Sequence, residues 1–369
     1  MLSIWERQSF ASYDVVIVGA GISGLSTAAS LKEHDPSLDI LVIESGLLPS
    51  GASTKNAGFA CFGSLTELLS DLERMGKEKT RNLVSKRWNG LTKLKSRLGD
   101  ENIDFQKKGG YELLEKQNLH LLGRVAEVNE LLTPIFNEPV FEDRSSVVRD
   151  FGFKGYDGMI FNHLEGQLDT GKMMKSLLSY CQHQGIQIMT GASVINYQSG
   201  DRVDLEIASG LKIRAKQLAL CTNAFTTKLT TADLQPGRGL VMALKPERVP
   251  FQGTFHIEEG YYYFRDYYDK VIFGGGRNLA FREEETTKFE INPMIEEKLL
   301  QMLKESILPG ISFEVTDKWT GIMAFGETKE PIIKMVEPGV FLGVRLGGMG
   351  VAIGSLVGEQ LAALIRQSL

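Results

Sequence analysis

The apolar and polar positions near the N-terminus predict a strand, a turn, a helix and a second strand. The run from Asp14 to Val18 is rich in β-branched residues and ends at Gly19, and apolar residues then recur at helical spacing over 25–31. A second apolar run follows over 39–44. Continuous apolar runs of this length are typical of parallel strands that are buried on both faces. The segment therefore predicts a βαβ unit, whose crossover is right-handed in nearly all proteins.

The rest of the chain alternates between helical and strand-like patterns. Helical periodicity predicts helices over 66–98, 119–132 (ending before Pro134), 171–184 and 295–308. Apolar or alternating runs predict strands over 186–189, 193–197, 203–207, 211–214, 218–221, 261–264 and 271–273. The turns at 209–210 and 266–270 predict two hairpins. This order favours an α/β fold, in which a doubly wound Rossmann-type domain accompanies a second α+β domain built on a mostly antiparallel sheet.

Length and charge narrow the class of protein. The 369 residues suggest two domains, since a domain has roughly 100–200 residues. The net charge of −5 argues against a nucleic-acid partner, because phosphate binding favours a basic surface. Three scattered cysteines without metal-ligand spacing indicate reduced thiols and no metal site. The sequence shows neither a secretory leader nor a run of about 20 apolar residues, so we expect a cytoplasmic protein with no transmembrane segment.

The clearest chemical signal is the pattern G-x-G-x-x-G that begins at Gly19. It stands between a predicted strand and a predicted helix, the context in which this pattern binds dinucleotides. Gly19 permits a tight turn, Gly21 lets a pyrophosphate approach the backbone, and Gly24 lets helix and strand pack closely. Glu44, at the end of the second strand, can accept hydrogen bonds from ribose hydroxyls and would repel the 2′-phosphate of NADP. The predicted contacts here are Gly19, Ala20, Gly21, Ser23, Gly24, Glu44 and Ser45.

Two further segments favour FAD over NAD, which the glycine pattern alone does not distinguish. Small and polar residues over 51–59 would suit the length of a long cofactor. A glycine-rich stretch over 343–354 leads into a helical pattern through Leu361. It offers a second helix N-terminus for a phosphate or for the edge of a flavin ring. We therefore predict FAD as the cofactor.

Taken in order, these segments resemble the family of FAD-dependent amine and amino-acid oxidoreductases typified by D-amino acid oxidase, glycine oxidase and monomeric sarcosine oxidase. The resemblance covers nearly the whole chain and rests on 14–24, Glu44, 53–58, 167–169, 220–224, 348–358 and Leu361. It implies a discontinuous FAD-binding domain of the glutathione-reductase type and a substrate domain on a mostly antiparallel sheet. The implied boundaries are 12–80, 160–235 and 320–369 for the first, and 81–159 and 236–319 for the second.

The resemblance also implies which residues hold the cofactor. Glu44 would bind the adenosine ribose, the strand around Val194 would contact the adenine, and the C-terminal glycine turn would cover the flavin. The implied contacts beyond the first turn are Ser53, Thr54, Lys55, Asn56, Ala57, Gly58, Phe59, Val194, Thr222, Asn223, Leu346, Gly347, Gly348, Met349, Gly350, Val351 and Ala352.

Two features of the sequence bear on how the cofactor is attached and where its electrons go. Some relatives bind FAD covalently through a cysteine near the segment matching 320–323 or a histidine near the one matching 53–56, and this chain has neither residue there. We therefore expect non-covalent FAD. The sequence has one dinucleotide turn, so we expect electrons to leave to oxygen, a quinone or a carrier protein.

The reaction implied by the resemblance is oxidation of the C–N bond of a small amine or amino acid, with hydride transfer to flavin and hydrolysis of the resulting imine. A carboxylate substrate favours an arginine anchor, because the planar guanidinium binds both oxygens. Arg265, Arg345 and Arg277 are the candidates. Tyr263 and Tyr261 share one side of a predicted strand and are candidates for lining the pocket. The predicted catalytic residues are Tyr263, Arg265 and Arg345.

Departures from the relatives leave alternatives open. Glycine oxidases carry an arginine near the position of Met323, and sarcosine oxidases carry a flavin-facing lysine on the strand matching 271–274, where this chain has Phe273. An oxidase and a dehydrogenase are therefore both possible. An FAD-dependent 2-hydroxy-acid dehydrogenase, or a flavoprotein without small-molecule turnover, are the alternatives. We expect His256 and Cys61, which lie near site segments, to be buried structural residues.

Overall fold

Two eight-stranded β-sheets organise residues 3–369, which are the residues that this computed structural model describes. The strands are Ser12–Val18 (β1), Ile40–Ile43 (β2), Phe59–Ala60 (β3), Gly110–Leu114 (β4), Phe141–Asp143 (β5), Gly158–Asn162 (β6), Gly166–Gln167 (β7), Gln187–Met189 (β8), Val194–Gln198 (β9), Val203–Ile207 (β10), Lys212–Leu220 (β11), Gln235–Pro246 (β12), Thr254–Ile257 (β13), Tyr262–Tyr267 (β14), Lys270–Gly275 (β15), Phe313–Phe325 (β16), Ile332–Glu337 (β17) and Val340–Val344 (β18). The helices are Ile4–Phe10 (α1), Ile22–His34 (α2), Ala52–Lys55 (α3), Leu65–Met75 (α4), Lys77–Leu98 (α5), Val125–Phe136 (α6), Thr170–His183 (α7), Pro293–Met302 (α8) and Gly350–Arg366 (α9).

The first sheet has a parallel centre that is buried on both faces. Its order is β17-β18-β11-β1-β2-β8, with β10 and β9 added beside β11. Strand β1 is parallel to β2 and β11, and β11 is parallel to β18. Val15 and Ile17 of β1 enter one core, whereas Val16 and Val18 enter the core on the opposite face. Burial on both faces explains why the sequence of this strand is apolar without interruption.

Helix α9 packs along α2, and small residues permit the close approach. A Cβ at Gly354 would meet Ile22 at 2.5 Å, and one at Gly358 would meet the Ser26 Cβ at 2.5 Å. Since the contacts advance in the same direction along both helices, the helices are parallel. Their N-termini therefore lie together at the carboxyl edge of the first sheet, which is where ligands bind in open α/β sheets.

The second sheet is antiparallel except for the pairing of β13 with β4. Its order is β16-β12-β15-β14-β13-β4-β6-β5. One face carries an aromatic core with α8 that includes Phe255, Phe264 and Phe273. The other face carries a row of residues in register from β16 to β4: Trp319, Val241, Gly274, Tyr263, His256 and Glu112. This second face packs against β3 and the segment before it, through Ala57 and Phe59.

The βαβ unit and both hairpins are confirmed, while one predicted helix and two predicted strands differ at their boundaries. The helix predicted over 66–98 is broken at Gly76, which has a φ of 81° and separates α4 from α5. The strands predicted over 211–214 and 218–221 form the single strand β11, because both halves pair with β1.

Helix α6 corrects the prediction that the helix over 119–132 ends before Pro134. The first part of that pattern is a 3-10 helix, and the α-helix then runs through the proline. A proline near the end of a helix removes one hydrogen bond of the last turn. The helix closes at Asn137, which has left-handed backbone angles and donates its N–H to the Thr133 carbonyl.

The domain boundaries stay a prediction, and we propose that each eight-stranded sheet forms the core of one domain. The strands of the first sheet fall within 12–80, 160–235 and 320–369. Helix α5, which the predicted boundary at residue 80 divides, packs along α9. A Cβ at Gly90 would overlap the carbonyl of Ala352. The proposed first domain therefore includes the whole of α5.

Replacing Gly358 by alanine should destabilise the protein, because the new Cβ would meet the Ser26 side chain at 2.5 Å and its backbone at 2.7 Å. Overpacking of this kind costs about 1–3 kcal/mol. The control is Gly123→Ala, where a Cβ has no heavy atom within 4 Å in the part of the chain that the structure describes. Urea denaturation gives the free energy of unfolding of each variant, and equal values would contradict this account of the α2–α9 contact.

Candidate active site

Three glycines shape the turn between β1 and α2. Gly19 has a φ of 106°, and a Cβ there would meet the Cys221 carbonyl at 2.8 Å. A Cβ on Gly24 would overlap the Gly19 carbonyl. Gly21 is the N-cap of α2 and, as a glycine, brings no capping side chain, so the first backbone N–H groups of the helix must find other partners. Steric limits set by the backbone therefore explain Gly19 and Gly24, and Gly21 leaves the start of α2 uncovered.

Glu44 lies at the carboxyl end of β2, with its side chain turned back to the glycine turn. One carboxylate oxygen accepts from the Ala20 N–H at 3.0 Å, and the other accepts from the Gly46 N–H at 3.0 Å. The Ala192 N–H donates to the Glu44 carbonyl, so the strand that carries Val194 begins beside this acid. Carboxylate oxygens have two lone pairs each, which leaves capacity for hydroxyl donors such as those of a ribose.

Helix α3 and the residues after it connect the glycine turn to the second sheet. The Ser53 hydroxyl accepts from the Ile22 N–H at 3.0 Å. The Asn56 side chain accepts from a neighbouring backbone N–H at 2.8 Å, which fixes the loop after the helix. The Lys55 carbonyl accepts from the Trp319 indole at 3.0 Å. This segment is therefore held at both ends, by α2 on one side and by β16 on the other.

The C-terminal glycine turn contacts β16, the strand that also holds the α3 segment. The Gly347 N–H donates to the Ala324 carbonyl at 3.0 Å, and a Cβ on Gly348 would meet the Met323 sulfur at 3.5 Å. Among residues 3–369, a Cβ at Gly51 or at Gly347 has no heavy atom within 4 Å. Both glycines therefore border open space.

The predicted cofactor residues assemble at the carboxyl edge of the first sheet. Thr222 and Asn223 follow β11, and the Asn223 side chain accepts from the Arg345 N–H at 3.1 Å. Thr54 turns its hydroxyl to the Pro49 carbonyl at 2.8 Å. The residues gathered at this edge are Gly19, Ala20, Gly21, Ser23, Gly24, Glu44, Ser45, Ser53, Thr222, Asn223, Leu346, Gly347, Gly348, Met349, Gly350, Val351 and Ala352. Their individual contacts to a cofactor stay predictions.

Two of the three predicted catalytic residues have guanidinium groups that are bonded to the protein. Arg265 is 4% exposed and donates to the carbonyls of Ala57 at 2.5 Å and Leu168 at 3.0 Å. Burial lowers the pKa of Arg265 to about 10. Arg345 donates to Asp233 at 2.7 Å and to the Glu330 carbonyl at 3.0 Å. Binding of the substrate by Arg265 or Arg345 stays a prediction. In this structure both guanidinium groups bind protein oxygens and hold the loops around the site in place.

Between the cofactor segments, three buried glycines of the second sheet leave room for side chains from other positions: a Cβ at Gly237 would overlap the Phe325 ring, and one at Gly239 would meet Met323 at 3.1 Å. Gly237, Gly239 and Gly321 share one face, and we call these three residues the glycine strip. Gly239 pairs with Gly321, and Gly237 pairs with Met323. A Cβ at Gly321 would lie 3.3 Å from the Lys55 Cβ. The strip therefore runs from the α3 segment toward the C-terminal turn.

Tyr263 borders the site from β14. The neighbouring strand β15 corrects the comparison with sarcosine oxidases, in which Phe273 stands at the flavin-facing position. The Tyr263 ring lies over Gly274, where a Cβ would meet it at 2.8 Å, and packs edge-to-face on Phe59. Burial raises the pKa of Tyr263 to about 12, so its hydroxyl stays protonated at neutral pH. Phe273 points into the opposite core, and Ile272 is the β15 residue that packs on Ala57 and faces the cofactor segment.

A buried polar cluster lies on β13 and β4, beside Tyr263. The sequence pattern did not predict that its residues come together. The His256 Nε2 lies 3.5 Å from a Glu165 oxygen. The Cys61 sulfur, a Glu165 carboxylate oxygen and a His256 ring nitrogen, each a group that can bind a metal ion, lie within 4.8 Å of one another. Glu112 stands beside His256 on the neighbouring strand. Phe59 covers the His256 ring edge-to-face at 5.1 Å. Only the strand pairing of β13 with β4 reveals this cluster, because Glu112 and His256 are distant in sequence.

Replacing His256 by glutamine should remove a pH-dependent contribution to stability. Burial lowers the pKa of His256, but the nearby charges of Glu165 and Glu112 outweigh burial and raise it above 6.5. A raised pKa stabilises the folded protein below about pH 6.5, and this stabilisation is lost as pH rises through the raised value. Melting temperatures from about pH 6 to about pH 8 should therefore fall more steeply for wild type than for His256→Gln.

The control for that comparison is His120→Gln, an exposed histidine on the same protein. This variant should follow the wild-type curve at every pH. A difference between wild type and His256→Gln that stays constant across the range would show that the imidazole contributes packing rather than charge.

Comparison with sequences of known proteins agrees with this geometry. The chain matches the family model of FAD-dependent oxidoreductases (DAO) over residues 14–364. It is 23% identical to the gamma-glutamylputrescine oxidoreductase of Escherichia coli (strain K12), over 386 aligned residues that cover 96% of this chain and 83% of the relative. It is 24% identical to the probable oxidoreductase OrdL of Rhizobium meliloti (strain 1021), covering 95% of this chain and 82% of the relative.

Solved structures share the fold over nearly the whole chain. The glycine oxidase from Geobacillus kaustophilus superposes with a TM-score of 0.77 at 18% identity, covering 97% of this chain and 96% of that one. The L-proline dehydrogenase from P. horikoshii gives a TM-score of 0.76 at 15% identity, covering 97% and 94%. With a family match from residue 14 to residue 364, the chain belongs to the family of FAD-dependent oxidoreductases.

Proposed function

We propose that this oxidoreductase oxidises the C–N bond of a small amine or amino acid, giving an imine that water hydrolyses. The observation that carries the proposal is the apolar face of the second sheet beside the α3 segment, where Phe59, Tyr263 and Met323 lie. A neutral amine can lose hydride without a protein base, because its nitrogen lone pair stabilises the developing cation. A hydroxyl group must also give up its proton to a base. The side chains of Phe59, Tyr263 and Met323 on this face supply no strong base.

The names of the similar proteins support the same class of reaction. They include a gamma-glutamylputrescine oxidoreductase, a glycine oxidase and an iminodiacetate oxidase, which are named for amine or amino-acid substrates. At identities of 23% or below, these names support the class of substrate and leave the individual substrate to be measured.

The residues at the edge of the first sheet fit FAD. Gly51 and Gly347 border open space, and Glu44 offers carboxylate oxygens to a ribose. The N-cap residues of α2 and α9 are Gly21 and Met349, neither of which makes a side-chain cap, and both N-termini lie at the same edge. Such termini attract phosphates. Bound FAD would supply the hydride acceptor for the reaction.

The chain itself would orient the amine and keep it uncharged. Met323, Phe59 and the ring of Tyr263 make the surroundings apolar, and an apolar site lowers the pKa of an amine. Burial keeps the Tyr263 hydroxyl protonated at neutral pH, so it can donate a hydrogen bond. His256 lies behind Phe59 and is buried, so it does not face the strip as a base.

The electron acceptor and the location in the cell stay predictions, namely oxygen, a quinone or a carrier protein in the cytoplasm. Strand β15 turns Ile272 and Gly274 to the cofactor segment, and neither can place a charge there. We therefore propose slow reaction with oxygen. Among residues 3–369, no helix combines the length and the apolar character needed to cross a membrane.

FAD should be released when the purified yellow protein is precipitated with acid. The reason is that the segments 320–323 and 53–56 contain neither cysteine nor histidine for a covalent bond. The absorption spectrum of the supernatant should contain all the flavin. Yellow colour that stays in the washed pellet would contradict the prediction.

Anaerobic bleaching of the visible flavin absorption tests the proposed reaction. The panel contains D- and L-amino acids, N-methyl amino acids, polyamines and 2-hydroxy acids, and we expect only amines to bleach the protein. Admission of air then measures re-oxidation and distinguishes an oxidase from a dehydrogenase. Bleaching by a 2-hydroxy acid alone would replace the proposal with hydroxy-acid oxidation, and no bleaching at all would indicate a flavoprotein without this chemistry.

A further inference from the structure

Three side chains of different chemistry meet beside β13, in the buried polar cluster. The Cys61 sulfur, a Glu165 oxygen and a His256 ring nitrogen lie within 4.8 Å of one another. These residues are 6%, 1% and 8% exposed, respectively. Cys61 lies opposite Glu165 because β3 pairs with β7, which sets Ala60 against Gly166. Thiolate, imidazole and carboxylate are the three kinds of ligand that Zn²⁺ takes in proteins.

The His256 Nε2 makes no hydrogen bond in the described part of the chain, although it is buried. Its neighbour is the Glu165 oxygen at 3.5 Å, which is beyond the usual N–H···O distance of about 2.7–3.2 Å. A buried polar atom without a partner is costly, and native structures rarely keep one. A cation bound between the two side chains would satisfy this nitrogen.

The distances in the cluster suit a tetrahedral cation. Zn²⁺ binds nitrogen and oxygen at about 2.0–2.2 Å and sulfur at about 2.3 Å, so two of its tetrahedral ligands lie about 3.3–3.7 Å apart. The His256 Nε2 and the Glu165 oxygen are 3.5 Å apart. The Cys61 sulfur lies within 4.8 Å of both atoms, so about 1 Å of side-chain movement completes the set.

The Glu165 carboxylate is held in the position that a ligand needs. One of its oxygens accepts from the Phe62 N–H at 3.3 Å. The other oxygen, which is the one near His256, lies against Gly110, where a Cβ would overlap it. Gly110 therefore makes room for the carboxylate, and the bond to the main chain fixes its direction. Ligands that are oriented by their neighbours in this way bind metal ions more tightly.

The charges of the three groups balance a divalent cation. One thiolate and one carboxylate neutralise Zn²⁺ while His256 is neutral, and buried charges are tolerated when they are paired or bind a metal. Burial raises the pKa of the Cys61 thiol, and Zn²⁺ would displace the thiol proton as the Zn–S bond forms. Glu112 stays outside the set, because both its oxygens accept from Thr66. Mg²⁺ and Ca²⁺ suit the set less well, since they prefer oxygen ligands.

We propose that Cys61, Glu165 and His256 bind one Zn²⁺ ion, with water in the fourth tetrahedral position. The ligands come from the residue after β3, the turn between β6 and β7, and β13. The ion therefore ties the segment that follows the cofactor loop to the second sheet, whatever substrate the enzyme oxidises. Residue spacing did not indicate a metal site, because these ligands lie far apart in sequence. The pH dependence expected of His256 belongs to the metal-free protein, since a zinc-bound imidazole takes up no proton.

The first test measures zinc in the FAD-loaded protein. Wild type and variants are produced in medium with added Zn²⁺, dialysed against metal-free buffer and analysed by plasma mass spectrometry for zinc per flavin. We expect about one Zn²⁺ per flavin in wild type and less than about one tenth of that in Cys61→Ser and His256→Gln. The reason is that altering a neighbour of a ligand already weakens metal binding about 10–100-fold, and these variants lose a ligand itself.

The matched control is Cys181→Ser, which alters another buried thiol, in a core of the first sheet. It should keep its zinc. Flavin content and circular dichroism establish that each variant is folded and loaded. Wild type without zinc would overturn the proposal. Equal zinc in wild type, Cys61→Ser and His256→Gln would also overturn it, because the metal would then be bound elsewhere on the protein.

The second test needs no variant, so it decides the question even where a substitution prevents folding. X-ray absorption at the zinc edge of wild type should show one sulfur neighbour at about 2.3 Å and nitrogen or oxygen neighbours at about 2.0–2.2 Å. Nitrogen and oxygen neighbours alone would overturn the proposal, since Cys61 would then not bind the ion.

The third test measures whether the ion stabilises the fold. Chelation of zinc should lower the melting temperature of wild type and of Cys181→Ser, because an ion that binds only the folded state stabilises it. The melting temperature of Cys61→Ser should not change. Equal shifts in all three proteins would overturn the assignment of the ion to Cys61, Glu165 and His256.

Discussion

The parallel packing of α9 on α2 is the contact on which the rest of the site depends. Ser26 and Ser355 are 329 residues apart in sequence, yet their hydroxyls lie 3.3 Å apart. Gly354 and Gly358 allow this approach, since any side chain there would push the helices apart. Because both helices start at the carboxyl edge of the first sheet, their contact places the C-terminal glycine turn beside the first one. The same contact then brings that turn to Met323 of the second sheet.

A second constraint holds the two sheets at a fixed separation around the α3 segment. Arg265 reaches from β14 to the carbonyls of Ala57 and Leu168, and Trp319 donates to Lys55 from β16. Burying a guanidinium is costly unless its N–H groups find acceptors, and backbone carbonyls in loops have lone pairs to accept them. The charge of Arg265 is therefore used for positioning, which leaves the chemistry of the site to residues that border the glycine strip.

The sequence predicted the features that depend on neighbouring residues. The glycine turn, Glu44 and the hairpins follow from local patterns, because steric limits and strand alternation act over a few positions. Contacts across the sheets could not be predicted, since they depend on strand order and on which face each residue takes. A shift of one position moves a side chain to the opposite face of the sheet. The sequence comparison therefore names Phe273 at the position that faces the cofactor segment, whereas the structure turns Ile272 to it. The acceptors of Arg265 likewise lie far away in sequence.

Met323 and Arg277 both lie against the glycine strip, Met323 at Gly239 and Arg277 at Gly237. Glycine oxidases, which the sequence resembles, carry an arginine near the position of Met323, where a guanidinium would fill the middle of the strip. With methionine there, the Met323 side chain lies against Gly239 and keeps the middle of the strip apolar. Gly237 makes room for the Phe325 ring, which a Cβ there would overlap. The strip is therefore covered by apolar side chains, and an apolar surface beside the cofactor segments favours the neutral form of an amine.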